Sequence, residues 1–112
     1  MPIDIDKEVM IKKMRASKFK QNNAKVLLTI NILRHQFEAL SDVKYALDKI
    51  EESEFLDSIN FLSEEGYIKL RTIDGHQDTT IADTDYAELE AKVTSLGIRL
   101  LAGEIKDAQV EV

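Results

Sequence analysis

Apolar residues recur along this chain with two different periods. Val9, Met10 and Met14 fall at spacings of one and four residues, which predicts a short amphipathic helix through about Ser17, capped by Asp4 or Asp6. Asn22 and Asn23 then offer caps for AKVLLTINILRHQF, where Val26, Leu27, Leu28, Ile30, Ile32 and Leu33 leave little polar surface. Such a segment predicts a core helix. Ser41 is placed to cap a third helix with Val43, Ala46, Leu47 and Ile50 on one face. Ser53 opens EFLDSINFLSEE, whose buried stripe is Phe55, Leu56, Ile59 and Leu62, and Gly66 stands where a left-handed residue would end it.

At Tyr67 the period changes from 3.6 to 2. YIKLRTI has strand-forming residues, Asp74-Gly75 is a turn signal, and AELEAKV alternates with Ala87, Leu89, Ala91 and Val93 on one side. Thr94 or Ser95 caps a last short helix carrying Leu96, Leu100 and Leu101, with Gly103 as its stop, and EIKDAQVEV reads as a loose tail. The sequence contains no internal repeat and no linker that would divide it.

The 112 residues are 44% hydrophobic with a single proline and no cysteine, enough for one compact core that needs no disulfide or metal. The absence of cysteine removes thiol catalysis and cysteine zinc sites. No run approaches the length of a membrane span, and MPIDIDKEVM lacks the apolar core of a signal peptide, so a cytoplasmic location without a membrane partner is expected. The net charge of −6 conceals an asymmetry: residues 1 to 50 carry +4 and residues 51 to 112 carry −10. No acid stands between Val9 and Phe37, where seven lysines and arginines occur.

Helices followed by a β-hairpin, with Glu65-Gly66-Tyr67-Ile68 joining helix to strand and Val93-Thr94, Gly97 and Leu100-Leu101 closing the domain, resemble a winged helix-turn-helix domain. In length and in its ending GIRLLAGEIKDAQVEV the chain is also similar to small regulator-like winged-helix proteins of Mu-like phages and prophages. The resemblance implies an α+β fold. Its parts would be a three-helix core with a β-hairpin wing over residues 21–103, a basic helical arm over 1–20, a short closing helix, and a tail over 104–112. It implies a regulator, homodimeric and bound to duplex DNA; its motifs specify packing, so function has to be argued from surface chemistry.

In such domains the helix corresponding to Ser53–Glu65 enters the major groove. Stepping about 100° per residue places Glu54, Asp57, Phe61, Glu64 and Glu65 opposite the buried stripe, and this helix has no lysine or arginine. It would repel phosphates. The wing segment carries Asp74, Asp78, Asp83 and Asp85, with Lys69 and Arg71 at its edge expected in surface ion pairs. The basic surface is Lys12, Lys13, Arg15, Lys18, Lys20 and Arg34, which can track phosphates or lie against the acidic half of the same or another copy. Phe61, with Glu54, Asp57 and Glu64, is the candidate protein interface for a basic partner, unless the arm or closing segment covers its ring.

Nothing in the sequence points to catalysis: neither histidine lies in a metalloprotease-type pair and no glycine-rich phosphate loop is present. His35 is expected to satisfy the last carbonyls of the core helix, and Asp74-Gly75-His76-Gln77-Asp78 to be a solvated turn without a metal. No cofactor is expected. Two functions remain: a DNA-binding regulator using its basic arm, and a protein-interaction or self-assembly module whose acidic third helix does not read DNA.

Overall fold

A computed structural model of the protein describes residues 2–32 and 35–112, with side chains from Asp6 onward. The arm and the core helix expected from the sequence are one continuous helix, α1 (Pro2–Ile30). Asp6 lies within it, and Asn22 and Asn23 are not caps but buried positions in its middle. The chain has no glycine before Gly66 and its only proline is Pro2, so nothing in the backbone forces a break at the asparagines. Their side chains have distant partners instead. Asn22 Nδ2 donates to Glu54 Oε2 at 3.1 Å, and Asn23 Nδ2 donates to the carbonyl of Gln109 at 2.8 Å.

α1 ends earlier than AKVLLTINILRHQF suggests. The Ile32 amide bonds to Thr29 O, tightening the last turn, and His35 adopts a left-handed backbone with φ 71°. His35 therefore lies outside the helix it was expected to terminate. The reversal leads into β1 (Glu38–Ala39), a strand that the sequence pattern does not predict.

α2 (Leu40–Ala46) and α3 (Glu52–Glu64) follow, their caps at Ala39 and Glu51 rather than at Ser41 and Ser53. Phe55, Ile59 and Leu62 of α3 are fully buried with Val26, Leu27 and Ile30 of α1 and Leu40 and Val43 of α2. Gly66, at φ 79°, permits a two-bond helix end in which Tyr67 N donates to Leu62 O and Gly66 N to Ser63 O.

β2 (Ile68–Thr72) and β3 (Leu89–Val93) pair antiparallel, Ile68 opposite Val93 and Thr72 opposite Leu89. β1 pairs with the other edge of β3, giving the order β1-β3-β2. The expected second strand starts two residues late because Tyr86–Glu88 form a 3-10 turn, capped by Asp85 Oδ1 accepting from Ala87 N at 3.1 Å. α4 (Ser95–Leu101) is capped by Thr94, whose Oγ1 accepts from Gly97 N, and Gly103 at φ 80° ends it. The described residues thus form an α+β fold of four α-helices and a three-stranded antiparallel sheet.

Residues 104–112 are not loose. Val110 is buried, Tyr67 Oη donates to Asp107 Oδ2 at 2.6 Å, and Glu111 N donates to Lys20 O. Alternating charge hid one apolar anchor, Val110, which sits under α1 where Asn23 holds the neighbouring carbonyl.

Candidate interaction surfaces

A 29-residue helix is about 43 Å long, and the core occupies only its second half. Every residue from Asp6 to Lys18 is exposed, so this half of α1 projects from the globule and the described molecule is 55 Å long by 32 and 22 Å. The projecting segment is not uniformly polar: Val9, Met10, Ile11 and Met14 are 45%, 62%, 41% and 65% exposed. The sequence showed these residues as an amphipathic pattern, which ordinarily faces the chain's own core. Their being left in solvent is a tertiary fact that no periodicity contains.

At the root of the arm the two sets of sequence candidates meet each other. Lys18 Nζ lies 3.5 Å from Glu54 Oε1, and Arg15, Lys18, Asn22, Glu54 and Asp57 share one cleft between α1 and α3. The Phe61 ring is half-buried, edge-on to Phe19 of the arm with centroids 5.4 Å apart at 75°. Phe61 is therefore not a free interface anchor: the arm covers it. The helical count that put it outward was correct for α3 alone and blind to α1. Glu54 is likewise half-buried, while Asp57 and Glu64 remain exposed.

Among the described residues, Lys18 is the only candidate arm base with a carboxylate within 4 Å. Lys12, Lys13 and Arg15 are exposed without one, and Lys13 and Lys20 also border a groove between the arm and Ile105–Val112. Around the helix axis the five bases are spread widely rather than gathered on one face. Arg34 lies outside the described residues.

The outward face of α3 carries Glu52, Asp57, Glu64 and Glu65 and no base, as its sequence implies. The acids of the β2–β3 connection have local work. Asp85 caps the 3-10 turn, Asp83 accepts from Thr80, and Asp78 bridges Arg71 through the backbone. Arg71 pairs with Glu90 and its guanidinium stacks 3.5 Å over the Phe37 ring. His76, with its left-handed φ of 53°, is 3.9 Å from the same Glu90.

Among the described residues Lys69 has no such partner. It stands directly opposite Lys92 in the sheet register, an unfavourable like-charge pair beside a groove that Arg99 and His35 also line. Sequence alone could not align these two lysines, because the 16 residues between the strands leave the register open.

Burial raises three further groups, Glu38, Tyr67 and Tyr86. Glu38 of β1 has its carboxyl raised above the ordinary value, first by burial and then by the Asp42 charge, and its Oε2 is buried without a hydrogen-bond partner. Burial, with the bond to Asp107 second, pushes the Tyr67 hydroxyl up to about 12.

No family model, curated protein or solved structure matches the chain.

Proposed function

We propose that this chain is a non-enzymatic association module of winged-helix type, which engages a protein partner through the projecting half of α1 and does not read DNA with α3. The order of three helices, hairpin and closing helix supports the winged-helix reading. The observation that carries the function is the exposure of Val9, Met10, Ile11 and Met14 on the projecting half of α1, where every residue from Asp6 to Lys18 is exposed. A helical segment standing alone in water is marginal, because it has only its own hydrogen bonds to offset the ordering of its backbone. Clustered exposed apolar groups mark interaction sites more often than scattered ones.

A second reading is favoured by one observation: Lys12, Lys13 and Arg15 are unpaired among the described residues and can meet phosphates. In that reading the chain is a DNA-binding regulator held by its arm. Titration of duplex DNA against salt separates the two. The association reading predicts at most non-specific affinity, with a dissociation constant of about 10⁻⁴ to 10⁻⁶ M near physiological salt. Nanomolar binding abolished by changing Lys12, Lys13, Arg15 and Lys20 together to glutamine would overturn it.

A further inference from the structure

We infer that the partner of the projecting helix is the same segment of a second copy of the chain, lying antiparallel so that Met10 of each copy sits beside Met14 of the other. The inference rests on the reading of the arm as an association surface and adds the identity and direction of the partner.

The apolar pattern supplies the seam. Met10 and Met14 are the most exposed apolar side chains described on α1, and they lie one turn apart. Their line continues through Ser17 and Gln21 at spacings of three and four, the spacing by which two helices keep one face together. A two-fold axis passing level with Lys12 brings each Met10 against the opposite Met14 and makes that contact twice. Lys12 itself is about 160 to 200° around the helix from both methionines, so the two Lys12 side chains point away from the seam.

Charge supplies the direction. The acids of α1, Asp4, Asp6 and Glu8, all precede Val9, while Lys12, Lys13, Arg15, Lys18 and Lys20 all follow it. A parallel pair would set five bases against the same five bases, within about one Debye length of each other. The antiparallel pair sets Asp6 level with residue 18 of the other copy, where Lys20 occupies the same flank of the seam. Two like contacts remain: Lys7 comes level with Ser17, one residue from Lys18, which is already held by Glu54 of its own chain, and the two Lys13 side chains share the flank of Asp6 and Lys20. Charges across a helix pair select partner and orientation in this way.

The chain has no cysteine, so introduced ones report the geometry without background. In the antiparallel pair residue 6 stands near residue 17 of the other copy, whereas the two residues 6 are about 18 Å apart along the axis, beyond disulfide reach. A mixture of Asp6→Cys and Ser17→Cys chains is expected to form the 6–17 disulfide under mild oxidation, and Asp6→Cys alone is expected to form none. Met10→Glu with Met14→Glu, both at exposed positions, is expected to weaken the dimer by about a hundredfold or more with circular dichroism of the globule unchanged.

A disulfide from Asp6→Cys alone would overturn the antiparallel pairing while leaving the arm as an association surface. A chain that sediments as a monomer and forms no disulfide, or a dimer indifferent to the methionine changes, overturns the second copy as partner. The association reading itself is decided separately, by the duplex titration.

Discussion

Gly97 shows how closely the closing helix is fitted to the sheet. A Cβ there would run into the Tyr67 carbonyl and stand 2.6 Å from Val93 Cγ1, and the backbone oxygen cannot rotate away. Gly97→Ala is expected to cost about 1 to 3 kcal/mol in denaturant unfolding, as overpacking does elsewhere. Two titrating groups with raised values act in different pH windows with the same sign. Burial raises the Glu38 carboxyl, so the folded state binds its proton more tightly than the unfolded one and the ionised group is a liability above the carboxylate range. Glu38→Gln should therefore raise the denaturation midpoint at neutral pH, and the gain should shrink as the pH falls through the raised value. Tyr67 is also raised, but from the alkaline side: its contribution is present below about pH 10 and lost as the pH rises toward about 12. Tyr67→Phe should flatten that alkaline loss and weaken the hold on Asp107.

At the scale of elements, the sequence was legible where one element's pattern is satisfied by its own neighbours. α3, its glycine-ended C-terminus and the Thr94 cap of α4 were all readable, because caps and stripes are local. Three features were not. Asn22 and Asn23 look like caps, yet a glycine-free stretch continued through them, their Nδ2 groups donating to Glu54 and to the Gln109 carbonyl. β1 is two residues long and exists only because β3 offers an edge. The tail holds by buried Val110, half-buried Ile105 and a few hydrogen bonds, too little for a pattern to register. Val110→Ala should lower stability by about 1 to 2 kcal/mol, measurable in urea unfolding, whereas a tail without a docking role would leave it unchanged. The candidate surface was legible by half: its bases were evident, but Phe61 was misplaced by a count that omits α1. Phe61→Ala should cost about 1 to 2 kcal/mol of folding stability through the lost Phe19 contact and leave self-association alone.

For the whole molecule, the charge asymmetry between the two halves is partly internal. The basic root of α1 is set against the acidic α3 through Lys18 and Glu54, an exposed pair worth at most about 1 kcal/mol, while the apolar Phe19–Phe61 contact holds the helices. What this arrangement leaves over is the tip of α1, with its methionines exposed and its three acids all before Val9, Lys7 among them. A surface built this way is self-complementary in one direction only. Moderate salt should weaken the pair without abolishing it, since the seam is apolar and only the flanking charges are screened.

The most direct measurement is sedimentation equilibrium of the intact chain beside its Met10→Glu, Met14→Glu variant. The account predicts a concentration-dependent dimer that the variant converts to a monomer with an unchanged globular fold. A monomer at every concentration, or a dimer that both chains form equally well, would contradict it.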